Sequence, residues 1–463
     1  MFDIQQVGAR TQKLAVDLSG QFGISRVIDD PDILASMAGD KSHCAPAMPH
    51  LAIRVRTEEE IGRVLVAAQQ HRVPVTPRGA GTGKSGGAIP ICGGLILDLS
   101  KMTDTKEIDR RNLLAVVEPG VITGAFQQAV EREGLFYPPD PNSLESCTLG
   151  GNVAHNAGGP RAFKYGVTRE YVLGTRTVLP DGNPVTTGRR TVKGVAGYDI
   201  TGLLVGSEGT LGVFTAVTLR LIRRPTALAT LLIAMPSEEK AGDAVSSIVA
   251  AGIVPRVLEF MDRGVVDVLR AKGVQGVSER TGALILAEVD GLDEALVERD
   301  AVVLSELCDR AGADEVFMAR HGTEREKLWA ARRLMSDAIA ETARHKASED
   351  IVVPRSAASA LLAGLKRLEE KWQVRMACYG HAGDGNYHVN ILWNDEDFCV
   401  DGAVSDLFDL TLSLQGTITG EHGVGLSKKA YLPKEQSAAL IALQRSVKAA
   451  IDPQGILNPG KIF

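Results

Sequence analysis

Residues 379–392 read YGHAGDGNYHVNIL, two short apolar stretches joined across Gly383-Asp384-Gly385-Asn386, a composition suited to a tight turn. His381 and His388 stand at matching distances from its middle, so in a hairpin they face each other across the strands, about 5 Å apart at Cβ. Two imidazoles at that separation can bind one ion. His388, Asn390 and Leu392 share a strand face, which puts Asn390 beside whatever the histidines hold. Thr419-Gly420-Glu421-His422-Gly423 follows a helix that Gly416 stops. Neighbours in an extended segment point to opposite sides, so Glu421 and His422 suit two roles rather than one. Taken singly, each histidine reads as a satisfied structural residue of a turn. Taken together, two histidines and a glutamate form a common ligand set for a catalytic Zn²⁺ with an open position. His43, His50, His71, His155, His321 and His345 have no such company and read as surface or packing residues.

A second centre of chemistry lies about three hundred residues upstream. Residues 77–90 read PRGAGTGKSGGAIP. Gly81, Gly83 and Gly86 satisfy G-x-G-x-x-G, and Gly83-Lys84-Ser85 copies the end of a P-loop. Both motifs require a helix to open directly after the loop, and the P-loop requires a glycine where Arg78 stands. Gly86, Gly87 and Pro90 instead break any helix before the short apolar run from Leu95 to Leu99. What remains is a backbone free of the Cβ penalty, whose successive N–H groups can converge on an anion such as a pyrophosphate. A plain glycine-rich surface turn is the alternative, and needs fewer glycines.

The elements that must position these two centres divide the chain. At 463 residues it exceeds the size at which a single core stops growing, so two or three units sharing a site are expected. From Leu51 onward short apolar runs alternate with helical stretches, 58–71 among them, an α+β pattern. Residues 138–166 are too rich in glycine, proline and asparagine for regular structure and too long for an idle loop, so they are expected to wrap a ligand. A third glycine-rich block, 197–221, ends in a strand. After Arg223-Arg224-Pro225 glycine becomes sparse and strand-like runs alternate with helices at 237–251, 293–311 and 328–344, which sets a domain boundary near residue 225. The segment 434–457 reads as helix.

A formal charge of −6 with no basic block argues against nucleic acid, and 44% hydrophobic with 23% charged residues is ordinary for a soluble protein. The longest apolar stretches, such as 228–235, fall short of the roughly 18 residues that a membrane span needs, and the start lacks a secretory pattern. The default address is the cytoplasm. Six cysteines, at 44, 92, 147, 308, 378 and 399, never approach C-x-x-C spacing, so an iron–sulfur cluster or zinc ribbon within the chain is excluded. Any electrons must leave through an organic cofactor.

Taken in order, Arg78 to Gly87, Thr148-Leu149-Gly150-Gly151-Asn152, Asn156-Ala157-Gly158-Gly159, Lys164-Tyr165-Gly166, the run from Gly206 to Gly212, H-x-G-D-G-N-x-H, G-E-H-G-V-G and Asn458-Pro459 span nearly the whole chain. This set resembles the FAD-linked oxidases and dehydrogenases of the p-cresol methylhydroxylase and vanillyl-alcohol oxidase superfamily, in the branch with D-lactate dehydrogenase, D-2-hydroxyglutarate dehydrogenase and the glycolate oxidase flavin subunit. The resemblance implies an α+β protein. A two-subdomain FAD-binding domain would occupy 1–225, a substrate-binding cap with an antiparallel sheet 226–425, and a helical segment returning to the FAD domain 426–463.

It also implies site residues. FAD would be held by Arg78, Gly79, Ala80, Gly81, Thr82, Gly83, Ser85, Gly86, Pro141, Thr148, Gly150, Gly151, Asn152, Asn156, Gly158, Gly159, Glu208, Gly212, Val213 and Asn458. Some relatives attach flavin through a histidine in the glycine loop, where this chain has Thr82, so the expectation is noncovalent FAD. His381, His388 and Glu421 map onto the ligands of a divalent ion, usually Zn²⁺, and His422 onto the catalytic base. Such an ion can chelate the carboxylate and hydroxyl of a 2-hydroxy acid and lower the hydroxyl pKa, while His422 takes the proton and hydride passes to flavin N5. Arg332 would fork onto the substrate carboxylate, its plain alternative being a solvated charge beside Arg333. Asn390 would hydrogen-bond the acid. Ser336 and Lys346 stand where dicarboxylate-specific relatives carry a threonine and a lysine, a departure that weakens any direct claim for 2-hydroxyglutarate. The expected partners are a small D-2-hydroxy acid and an external electron acceptor: an electron-transfer flavoprotein, a quinone-linked carrier or an iron–sulfur protein. A homodimer is compatible with this. An O₂-using oxidase is the runner-up within the fold. A metal-dependent hydrolase would leave the glycine blocks unexplained, and a P-loop NTPase lacks its first glycine.

Overall fold

The computed structural model describes residues 2–274, 277–319 and 322–463; His321 lies outside them. Three large sheets and a two-stranded pair, Leu135–Phe136 with Ile222–Arg223, organise these residues. The first has strands Val27–Ile28, Leu51–Arg54, Leu95–Asp98 and Val75–Arg78 in that spatial order, the last three parallel. Helix Glu58–His71 links two of the parallel strands. It begins because Thr57 caps the Glu60 N–H and three glutamates in the first turn complement the positive end of the helix dipole, and it ends at Arg72 in the left-handed region. The inner strands are buried on both faces, as parallel strands must be. Arg78 therefore emerges at the edge of a rigid, packed sheet, and from Gly79 to Gly94 the chain forms no helix.

The second sheet is antiparallel, ordered Thr105–Asp109, Leu114–Val117, Val213–Arg220, Val172–Val178, Pro184–Gly188. Together the two sheets give the N-terminal part of the chain the two subdomains expected from the motifs. Residues 138–166 depart from expectation, because they are not all irregular. Leu149–His155 is a helix whose start is fixed by Thr148 accepting from the Gly151 N–H, and whose end is fixed by Asn156 in the left-handed region. Gly150 is required there, since a Cβ would run into the Pro119 backbone and ring.

The third sheet has seven antiparallel strands in the order Glu315–Ala319, Ala227–Met235, Ala283–Gly291, Val257–Met261, Arg375–His381, Asn386–Trp393, His345–Val352. Helices Glu238–Ala250, Glu294–Ala311, Ala358–Trp372 and Val400–Ser413 cover one face over a large apolar core. On the opposite face, Met261, Tyr379 and Leu392 pack with Val265 and Met335 from helices Arg263–Ala271 and Gly322–Ala340. The period of two in each strand brings Glu259, Tyr379, His381, His388, Asn390 and Asp350 to this second face as well. The helix expected at 328–344 is therefore Gly322–Ala340, shifted toward the N-terminus because the chain enters strand His345–Val352. The helix expected at 434–457 is a short turn, Leu432–Glu435, and a separate helix, Ala438–Ile451. Beyond it the chain rejoins the first sheet, where the Val75 N–H donates to Ile456 and the Asn458 N–H to Val75. No helix among the described residues is long and apolar enough to cross a membrane.

Candidate active site

A cleft of about 430 Å³ runs between the glycine blocks and the segment that carries Glu421 and His422. Arg78, Gly79, Ala80, Gly81, Thr82, Gly83, Pro141, Thr148, Gly150, Gly151, Asn152, Gly158, Glu208, Gly212 and Val213 line it, and so do Glu421 and His422. The residues suggested for cofactor and chemistry thus share one space. Five others support the wall instead. Ser85 is fully buried, Gly86 packs against Leu426 and Cys44, Asn156 accepts the Arg169 N–H, and Gly159 lies against Asp140. Asn458 donates to the carbonyls of Gly87 and Glu208, pinning two cofactor-side segments to the C-terminus. Arg78 turns its guanidinium back onto the Gly39 carbonyl, 2.9 Å away, so it braces the loop.

The cleft fits a pyrophosphate-bearing dinucleotide. Gly81 has φ of +70°, a conformation costly for any side chain, and a Cβ there would collide with Arg78. Around it Gly79, Gly83, Gly150, Gly151 and Gly158 leave the lining without side chains, so backbone lies open to a bound polar group. Gly158 lets the two halves approach: a Cβ there would come within 2.8 Å of Glu421 Oε2.

The hairpin turns one residue earlier than the spacing suggests. His381 is paired with Asn386, and His388 with Tyr379, so the two histidines are diagonal neighbours rather than opposite each other. They still share a face, with ring centroids 5.4 Å apart and planes nearly perpendicular. Glu421 Oε1 lies 3.9 Å from His381 Nε2 and 3.7 Å from His388 Nε2. Among the described residues, these three are a set whose donor atoms all fall within 4.8 Å of one another. Two nitrogens and a carboxylate oxygen converging in this way fit a divalent ion with one side open. His422 stacks on His388 at 5.6 Å.

Electrostatics assign different states to these imidazoles. Burial pushes His388 down to about 3, outweighing Glu421, so it is neutral, as a metal ligand must be. Burial likewise lowers His422, against Asp350 and Glu421, and leaves a neutral ring able to accept a proton. Burial disfavours charge on His381 too, but Glu259 and Glu421 together hold it well above the ordinary value. Two carboxylates around one imidazole call for a positive charge. A divalent ion would satisfy Nε2 while Nδ1–H stays on Glu259.

Two carboxylates missed in the sequence organise the site. Asp350 is fully buried, and its Oδ2 accepts the N–H groups of Gly420, Glu421 and His422 at 2.9, 2.9 and 3.0 Å, together with the Thr419 hydroxyl. It fixes the turn that aims Glu421 and His422. Glu259, also fully buried, joins His381 to Arg332. Glu259 stands as a lone acid inside an otherwise apolar strand, VLEFM, and that was a readable signal; Asp350, beside Glu349 in HKASEDIV, carried none as clear. His155, read as a packing residue, also lines the cleft, its Nδ1 3.2 Å from the His422 carbonyl.

The suggested substrate residues are spread more widely. Arg332 lies over Tyr379 at 4.8 Å and donates to Glu259, so it is a buried ion pair and not a solvated charge. Lys346 donates to the carbonyl and hydroxyl of Ser336, at 3.0 and 3.2 Å. Asn390 is fully buried, donating to Ala377 and His388 carbonyls, with its own oxygen unpartnered.

A glycine-lined dinucleotide cleft meeting a histidine–carboxylate cluster across two structural units defines a flavin-dependent oxidoreductase. Residues 49–188 match the family model described as FAD binding domain, and residues 224–462 that of FAD linked oxidases, C-terminal domain. The chain belongs to the FAD-linked oxidase family. It is 42% identical to glycolate oxidase subunit GlcD of Bacillus subtilis (strain 168), over 90% of this chain and 89% of the relative. It is 36% identical to a D-lactate dehydrogenase of Anaerostipes hadrus, over 90% of each, and 31% identical to a D-2-hydroxyglutarate dehydrogenase of Stutzerimonas stutzeri (strain A1501), over 95% of this chain and 96% of the relative. Among solved structures, p-cresol methylhydroxylase with substrate bound superposes with a TM-score of 0.81 at 17% identity, covering 98% of this chain and 97% of the other, a likeness of fold.

Proposed function

We propose that this FAD-linked oxidoreductase converts a small D-2-hydroxy acid to the 2-oxo acid, and passes its electrons to an external acceptor. The observation that carries this reading is the His381–His388–Glu421 cluster beside His422, with Glu421 and His422 lining the same cleft as the glycine loop. When bound, FAD would supply the hydride acceptor, held without a covalent link because Thr82 replaces a linking histidine, and a divalent ion such as Zn²⁺ would supply a Lewis acid for the hydroxyl. His381, His388 and Glu421 would hold that ion. His422, neutral through burial and fixed by the Asp350 turn, would accept the hydroxyl proton. Arg332 would bind the carboxylate through guanidinium nitrogens other than the Nε it gives to Glu259, and Asn390, Ser336 and Lys346 would shape the remaining wall. A glycolate-oxidase-type flavin subunit is the second reading, favoured by the 42% identity to a GlcD subunit.

Anaerobic flavin bleaching with D- and L-lactate, D-2-hydroxyglutarate, D-malate and glycolate, before and after chelation, tests both. Bleaching by a D-acid that fails after chelation is expected. Bleaching by no 2-hydroxy acid refutes the substrate class, and full bleaching after complete metal removal refutes the ion.

A further inference from the structure

A bare carboxylate in the middle of a buried sheet costs several kcal/mol of lost hydration unless both oxygens are engaged. Glu259 is such a group, fully buried in Val257–Met261 between Leu258 and Phe260. Its oxygens are divided: Oε1 takes His381 Nδ1 and Oε2 takes Arg332 Nε. The first contact is set by the sheet, because Glu259 and His381 are directly paired on neighbouring antiparallel strands. With Nδ1 committed to Glu259, Nε2 is the nitrogen left to face Glu421. The second contact is set by helix Gly322–Ala340, which delivers Arg332 over Tyr379, whose ring in turn lies 5.5 Å from His388.

We infer that Glu259 is a positioning residue that fixes the tautomer and rotation of His381 for an ion and holds Arg332 at the same place, so that ion affinity and substrate binding meet in one side chain. The inference rests on the reading of His381, His388 and Glu421 as an ion site. Hydrogen-bond partners of a ligating histidine typically change metal affinity 10–100-fold when removed. A role limited to neutralising Arg332 would predict something else: that removing Arg332 and removing Glu259 have equal effects on the ion.

The test uses the full FAD-loaded chain, stripped by chelator and titrated with Co²⁺, read by its visible band beyond the flavin absorption and by bound metal after gel filtration. Glu259→Gln should weaken Co²⁺ binding about 10–100-fold and alter the visible band. Arg332→Met should bind Co²⁺ within about threefold of wild type while raising KM for the acid far more than it lowers kcat. If Glu259→Gln fails to fold with its arginine unpaired, Glu259→Gln/Arg332→Met removes both charges, and should still show the weakened ion site. Equal Co²⁺ affinity in wild type and the Glu259 variants overturns the inference. So does equal weakening in Arg332→Met and the double variant. Failure of the wild type itself to take up Co²⁺ overturns the ion site, and this inference with it.

Discussion

Replacing Asp350 with asparagine should damage both stability and chemistry, by amounts that follow from its contacts. One carboxylate oxygen accepts three consecutive backbone N–H groups and a hydroxyl, and the other accepts Asn386 Nδ2 at 2.6 Å. Hydrogen bonds to a charged acceptor contribute about 1.5–3 kcal/mol and neutral ones about 0.5–1.5, so removing the charge from the three backbone bonds costs about 3 kcal/mol. The amide must also point its NH₂ at donors on one side or the other, a mismatch of about 1–3 kcal/mol. A total near 4–6 kcal/mol lowers the melting point of a cooperative unit of 150–250 residues by roughly 8–24 °C. Flavin reduction should fall by about a hundredfold, the scale for a displacement of about 1 Å in a catalytic group, because Glu421 and His422 hang from these bonds. Thermal melting followed by flavin fluorescence, and single-turnover anaerobic reduction, read the two effects. A variant that melts within 2 °C of wild type and reduces at its rate would refute the assignment of Asp350 as the anchor of the turn.

Burial pushes the Asp262 carboxyl up to about 8, despite hydrogen bonds from Val265 and Cys378, with Glu238 and Glu369 adding to the rise. A pKa raised above the unfolded value gives stability that is complete below about pH 4 and drains by about 1.4 kcal/mol per pH unit up to about pH 8. Asp262→Asn should therefore flatten the melting profile between pH 5 and 8, and curves parallel to wild type would count against it. Gly81→Ala places a side chain at φ +70° against Arg78 and should yield protein with less FAD, read from the ratio of flavin to protein absorbance; full occupancy would place the pyrophosphate elsewhere. His422→Ala should keep its FAD and its Co²⁺ affinity within about threefold while losing substrate reduction, and reduction at the normal rate would mean that another group is the base.

The glycine loop and the H-x-G-D-G-N-x-H segment were legible because their chemistry is local. Gly81 needs its left-handed backbone wherever the loop lies, and His388 and Asn390 share a face in any strand. Helix starts were equally readable, since Ser237 and Asp293 cap helices through their own side chains. Reading from composition failed at 138–166, where glycine content suggested irregular backbone and Thr148 with Asn156 enclosed a short helix. It also failed by one residue in the hairpin, because register depends on which residues close the turn, here Ala382 to Gly385 between the paired His381 and Asn386.

The sequence alone determined the two-unit α+β organisation and the short segments in which the glycine loop, the paired histidines, Glu421 and His422 stand, all written by residue type and spacing. Only the tertiary structure decided that the glycine loop shares one cleft with Glu421 and His422, that Asp350 aims Glu421 and His422 from about seventy residues away, and that Glu259 divides itself between His381 and Arg332. Those pairings join strands and helices distant along the chain, and burial is what makes them matter: in water each carboxylate would be satisfied by solvent, and inside the sheet it must find the one partner the fold supplies.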